Sequence, residues 1–91
     1  MRDAPLRHRA ELAFTESPDR VAVLDLDRPG EPAIVLTGPG SAIWAAVDGR
    51  RDIAEIVAAV ASAYGVEESA VDGDVREFLR ELVARGLLVT G

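Results

Sequence analysis

The residues able to do chemistry are few. His8 is the chain's only histidine, and it sits between Arg7 and Arg9. General acid–base work needs a ring held in fixed geometry. A lone histidine in a basic start reads instead as solvent-facing, on a mobile terminal segment. There is no cysteine, so disulfides, thiolate nucleophiles and thiolate metal sites are excluded. A zinc site would then need carboxylates, and no acidic cluster has the spacing for one. Asp72 and Asp74 stand two apart on an expected helix and do not share a face. They read as solvated acids near a helix start. Ser17, Ser41, Ser62 and Ser69 have no histidine in a triad arrangement. Gly38-Pro39-Gly40 precedes a helix, where a phosphate could sit. It lacks the lysine of a P-loop and the third glycine of a dinucleotide fingerprint, which favours a plain strand-to-helix corner. The expectation is a protein without catalytic residues, metal or cofactor.

The elements follow from periodicity. Residues 11–15 alternate, with Leu12 and Phe14 on one face. Ser17-Pro18-Asp19 is a turn signal. Residues 20–26 are rich in β-branched and aliphatic side chains, as a strand requires. Pro29-Gly30 suits a tight turn, and Ala33-Ile34-Val35-Leu36 follows as a third strand. Past Gly38-Pro39-Gly40 the spacing becomes helical. Ile43, Trp44 and Val47 mark a first helix with Gly40 or Ser41 as cap, and Asp48-Gly49 ends it. Asp52 and Glu55 have the spacing of a capping box for a second helix. Ile53, Ile56, Val57, Val60 and Tyr64 stripe that helix, and Gly65 closes it. A third helix begins near Glu67 or Ser69 and ends at Arg85-Gly86, and Leu87-Leu88-Val89 packs back as an apolar tail. The expected class is α+β in the order βββααα, as one module over residues 1–91 with an ordered core of about residues 10–89. Trp44, beside Ile43 and Val47, is expected in the core between sheet and helices.

Charge narrows the partners. All ten basic residues are arginine and the net charge is −6. Residues 46–91, the helical half, hold nine acids against five arginines. A duplex-binding protein concentrates positive charge on its contact face, so nucleic acid is disfavoured. No uncharged stretch is long enough to cross a bilayer. No apolar run follows the arginines of the start, so the cytoplasm is the expected compartment.

Several segments in order resemble one family. Leu36 to Trp44 resembles the PqqD-family corner at which a strand turns into the first helix, with Thr37 where asparagine is common and an unusual Pro39. Asp48-Gly49 resembles the family's helix stop, and residues 53–57 its second-helix opening. Asp74-Val75, Phe78-Leu79, Leu82 and Gly86-Leu87-Leu88 resemble its ending. The resemblance spans roughly residues 10–89. It implies a winged-helix-like recognition element that binds the leader of a ribosomally synthesised, post-translationally modified peptide (RiPP). Such an element presents the leader to a modifying enzyme, such as a radical SAM enzyme, or to a leader protease. The short chain resembles the free-standing members.

The residues themselves suit that role. The third strand, Ala33, Ile34, Val35, Leu36 and Thr37, is an edge with no charge or internal proline to block strand addition. On the third helix Val71, Val75, Phe78 and Leu82 form one stripe, with Leu79 and Val83 beside it and Asp72, Arg76 and Arg80 beyond. With the resemblance, the first stripe is expected as core and Leu79 and Val83 as the border of a peptide groove. Otherwise all six apolar residues are core. Arg76 and Arg80 are expected either to meet acidic leader residues or to pair with Glu77 or Glu81. The competing functions are a winged-helix DNA-binding regulator, which would need a more basic third helix, a docking subunit that never touches the leader, and a small enzyme.

Overall fold

The computed structural model describes residues 4–90; Arg2, part of the basic start, lies outside them. The chain runs β1 (Leu6–His8), β2 (Leu12–Ser17), β3 (Arg20–Asp25), β4 (Ile34–Thr37), α1 (Pro39–Ala46), α2 (Ile53–Tyr64), α3 (Glu68–Ala84) and β5 (Leu88–Thr90). The expected α+β class holds, with a three-stranded antiparallel sheet of order β2-β3-β4 followed by three helices. Val21, Val23 and Leu36 turn inward from that sheet and are buried. Their neighbours along the strands, Ala22, Leu24 and Val35, face outward, as the two-residue period requires. None of the helices is long and apolar enough to cross a membrane.

Local chemistry sets the helix ends. α1 starts at Pro39, earlier than periodicity suggested, because proline already holds a helical φ and its missing N–H costs nothing at a first turn. Its cap is Gly38, not Gly40 or Ser41. The Ser41 hydroxyl instead donates back to the Gly38 carbonyl at 2.8 Å. Gly38 holds φ 56°, a left-handed value open chiefly to glycine. That residue turns β4 abruptly into α1. The capping box of α2 is complete: Asp52 accepts from the Glu55 N–H at 2.9 Å, and Glu55 accepts from the Asp52 N–H at 3.1 Å. Between β3 and β4 the chain runs from Leu26 to Ala33, a longer connection than the tight turn expected at Pro29-Gly30.

A second, two-stranded ribbon was not legible in the sequence. β1 pairs antiparallel with β5, placing Leu6 opposite Thr90 and His8 opposite Leu88. The apolar tail does pack on the core, but as a strand. The ordered part therefore begins before residue 10, and Leu6 is only 2% exposed. On its other side β1 is tied to the α1–α2 connection, through Leu6 N–H to Arg51 O and Gly49 N–H to Leu6 O. Arg9 fastens the end of β1. Its guanidinium donates to the Gly86 carbonyl at 2.7 Å and meets Asp25 at 2.7 Å and Asp27 at 2.8 Å.

This ribbon corrects the expectation for His8. The ring is not solvent-facing. It stacks on Trp44 with centroids 4.1 Å apart and planes 10° from parallel. Phe14 stands edge-on to both rings, at 4.9 Å and 5.3 Å. His8 Nε2 lies 3.1 Å from the Trp44 carbonyl; a carbonyl only accepts, so Nε2 carries the proton. Trp44 is fully buried between sheet and helices, as expected. Its indole Nε1 finds no hydrogen-bond partner among the described residues, which costs about 1–3 kcal/mol.

Two outcomes follow. Trp44→Ala should lose about 3–5 kcal/mol, as large-to-small core changes do. Trp44→Phe should lose clearly less, because it keeps most of the packing and removes the orphan donor; denaturant melts of the two variants check this. The second concerns pH. Burial outweighs the Trp44 carbonyl and the Glu16 charge, and it lowers the His8 pKa below its ordinary 6.5. The folded state therefore holds His8 neutral, and unfolding releases a more basic ring. This stability is present above the unfolded value and is lost as pH falls through the lowered folded value. Melting temperature should drop between about pH 7.5 and pH 5, and His8→Phe should flatten that slope. An unchanged slope in His8→Phe would locate the acid sensitivity elsewhere.

Candidate functional site

β4 has a partner on one side only. Gly38 donates its N–H to the Asp19 carbonyl at 3.2 Å, in register with the β3–β4 pairing. Backbone groups alternate sides along an antiparallel strand. Ile34 and Leu36 therefore point theirs at β3, while Val35 and Thr37 point theirs away from it. Val35 is 51% exposed, and β4 contains neither a charged residue nor a proline. Natural edges are usually guarded by one or the other. The sheet's second free edge, β2, carries Glu16.

Past the Gly38 corner that follows β4 lies an apolar hollow of about 300 Å³, with Pro39 as the wall residue nearest the strand in sequence. Pro39 and Ile43 of α1, Val60 and Tyr64 of α2, and Val71 and Val75 of α3 wall it, with Val66 between the last two helices. Asp74 is its only charged wall residue. Tyr64 and Val66 are 49% and 44% exposed, a large apolar surface to leave in water at the close of a helix. Phe78 extends the same flank of α3 toward the corner. It packs so closely on Gly40 that a Cβ there would lie 3.1 Å from the ring. Glycine thus lets α3 approach the strand-to-helix corner.

The helix-three residues named from sequence lie elsewhere. Taking about 100° per residue, Leu79 sits about 100° from Phe78 around the helix, and Asp72, Arg76, Arg80 and Val83 about 120–160° from it. Leu79 is core, at 1% exposure. Val83 and Arg80 line a different hollow with Leu6, Ile53 and Thr90. Asp72 and Arg76 bond each other at 3.0 Å. Leu79 is thus committed to the core, and Val83 belongs to the hollow beside β1 and β5, on a flank of α3 turned from Phe78. Of the expected core stripe, Val75 and Leu82 are buried and Val71 and Phe78 pack partly buried against the core, while Leu79, expected beside a groove, is core as well. The physical reason is the β1–β5 ribbon, which covers the flank of α3 that the sequence left open. The residues that do flank the β4 corner, Tyr64, Val66, Val71, Asp74 and Phe78, carried one usable signal. Tyr64-Gly65-Val66 puts two large apolar side chains at a helix stop, where solvent is expected.

Acid–base and metal chemistry find no assembly here. His8 is committed to Trp44. Among the described residues no three His, Cys, Asp or Glu side chains gather as a metal site. What this region offers is backbone donors and acceptors beside apolar walls, the equipment for holding an extended peptide.

No curated protein matches the chain. A solved structure, TbiB1 in complex with the TbiA(beta) leader peptide, is similar at a TM-score of 0.76 and 29% identity, covering 90% of this chain and 93% of that one. Residues 20–88 match the family model described as Coenzyme PQQ synthesis protein D (PqqD), a stretch that runs from β3 to the first residue of β5. With a match over most of its length, this chain belongs to the PqqD family.

Proposed function

We propose that this protein is a RiPP recognition element that binds the leader of a precursor peptide and presents it to a modifying enzyme or a leader protease. The observation that carries the proposal is the unguarded β4 edge, followed across the Gly38 corner by an apolar hollow, in a fold similar to one solved with a leader peptide. The leader adds to β4 as an antiparallel strand, exchanging hydrogen bonds with Val35 and Thr37. Its inward side chains pass Phe78 and enter the hollow between Ile43, Val71 and Val75. Backbone pairing supplies affinity that any sequence can use, and the hollow supplies preference for a large apolar residue. Asp74 at the hollow's wall favours a donor or cation beside that residue. Ordering a flexible leader costs several kcal/mol, which keeps the complex releasable.

The protein contributes no chemistry of its own in this reading, since bond-making belongs to the partner enzyme. Ribosomal precursors are made in the cytoplasm, and the leader is met there.

Two experiments test this. Adding leader to isotope-labelled protein should move the amides of Val35 and Thr37 and the signals of Val71 and Phe78. Val35→Pro removes an outward N–H and no bond to β3, so it should weaken leader binding about tenfold or more while the fold melts near its normal temperature. Shifts confined to β2, with β4 silent, would sink the docking model. Separately, purified protein incubated with its precursor alone should leave the precursor's mass unchanged. A mass change without any partner enzyme would show catalysis and overturn the carrier role.

A further inference from the structure

The flank of α3 that the ribbon covers is not wholly closed. A second apolar hollow of about 270 Å³ lies between Leu6 of β1, Ile53 at the start of α2, Leu79 and Val83 of α3, and Thr90 of β5. Val83 is 41% exposed on its wall. Among the described residues Arg80 is the only charged one lining it. The other arginines of this region each hold a carboxylate one turn away, Arg76 on Asp72 at 3.0 Å and Arg85 on Glu81 at 3.0 Å. Arg80 holds none among the described residues. Glu81, its immediate neighbour, is already committed to Arg85. In a chain of net charge −6, a guanidinium with no carboxylate partner among the described residues stands at the mouth of an apolar hollow.

We infer that this hollow is a second docking site, and that its occupant is a segment of the partner enzyme pairing an apolar side chain with a carboxylate. The apolar group fills the space against Leu79 and Val83, and the carboxylate meets Arg80, whose planar fork suits two-point contact. The occupant's identity as an enzyme rests on the leader-carrier reading; its chemistry rests on the hollow alone. No residue of this site belongs to β4 or to the hollow beside it, so leader and enzyme can be held together. A carrier that delivers a bound peptide needs such a second surface.

The test uses two blocked dipeptides as probes, N-acetyl-leucyl-glutamate amide and N-acetyl-leucyl-lysine amide, titrated into methyl-labelled full chain. The glutamate probe should move the Leu79 and Val83 methyls at roughly fivefold lower concentration than the lysine probe, the scale of one exposed ion pair. Arg80→Glu, an exposed change that leaves the core intact, should reverse that order. The β4 amides should stay still with both probes, so failure here and failure of leader binding register at different signals. Equal response to the two probes, or no response at Val83, overturns the inference. So does movement of the same methyls on dilution, which would make a second copy of the chain the occupant. So does their movement when residues 1–3 are removed, which would make the chain's own start the occupant.

Discussion

The indole of Trp44 is the contact on which the other elements converge. α1 carries it, the inner face of the sheet meets it through Phe14, and β1 lays His8 flat against it. The Trp44 carbonyl also accepts two hydrogen bonds, from Val47 at the end of α1 and from His8. One residue thus joins the first helix, the three-stranded sheet and the terminal ribbon. A small domain has little apolar area to distribute, and concentrating it at one large ring lets short strands stay ordered. The indole N–H, without a partner among the described residues, is the cost of that placement.

What the sequence could convey depended on the range of each signal. The capping box of Asp52 and Glu55, the stop at Gly65 and the alternation through Val21 and Val23 are local, and each was readable in place. β1 and β5 are three-residue strands, too short to display a period, and each finds its partner at the far end of the chain. Missing that one pairing produced two separate errors. It left His8 free in expectation when the ribbon in fact holds it on Trp44. It also left the Leu79–Val83 flank of α3 open in expectation, which set that flank beside the peptide and the stripe of Val71, Val75, Phe78 and Leu82 in the core. The edge character of β4 survived, because a strand that ends a meander remains an edge whatever is added at the termini.

Leaving β4 unguarded carries a hazard as well as an opportunity, since the same edge would accept a strand from another copy of the chain. The composition answers this with long-range repulsion. A net charge of −6 on 91 residues separates like molecules at a distance, while a peptide without that charge is not repelled.

The antiparallel pairing of β1 with β5 also brings Leu6 and Thr90 face to face, so the backbone enters and leaves the fold at one spot. A unit with adjacent ends can be spliced into a surface loop of a larger protein without stretching either flank. For the same reason the ends can be joined by a short linker and the chain reopened elsewhere, for instance in the Leu26–Ala33 connection, with the fold retained as a circular permutant. The topology makes this domain portable between free-standing and embedded settings, with the β4 edge unaltered by the change of address.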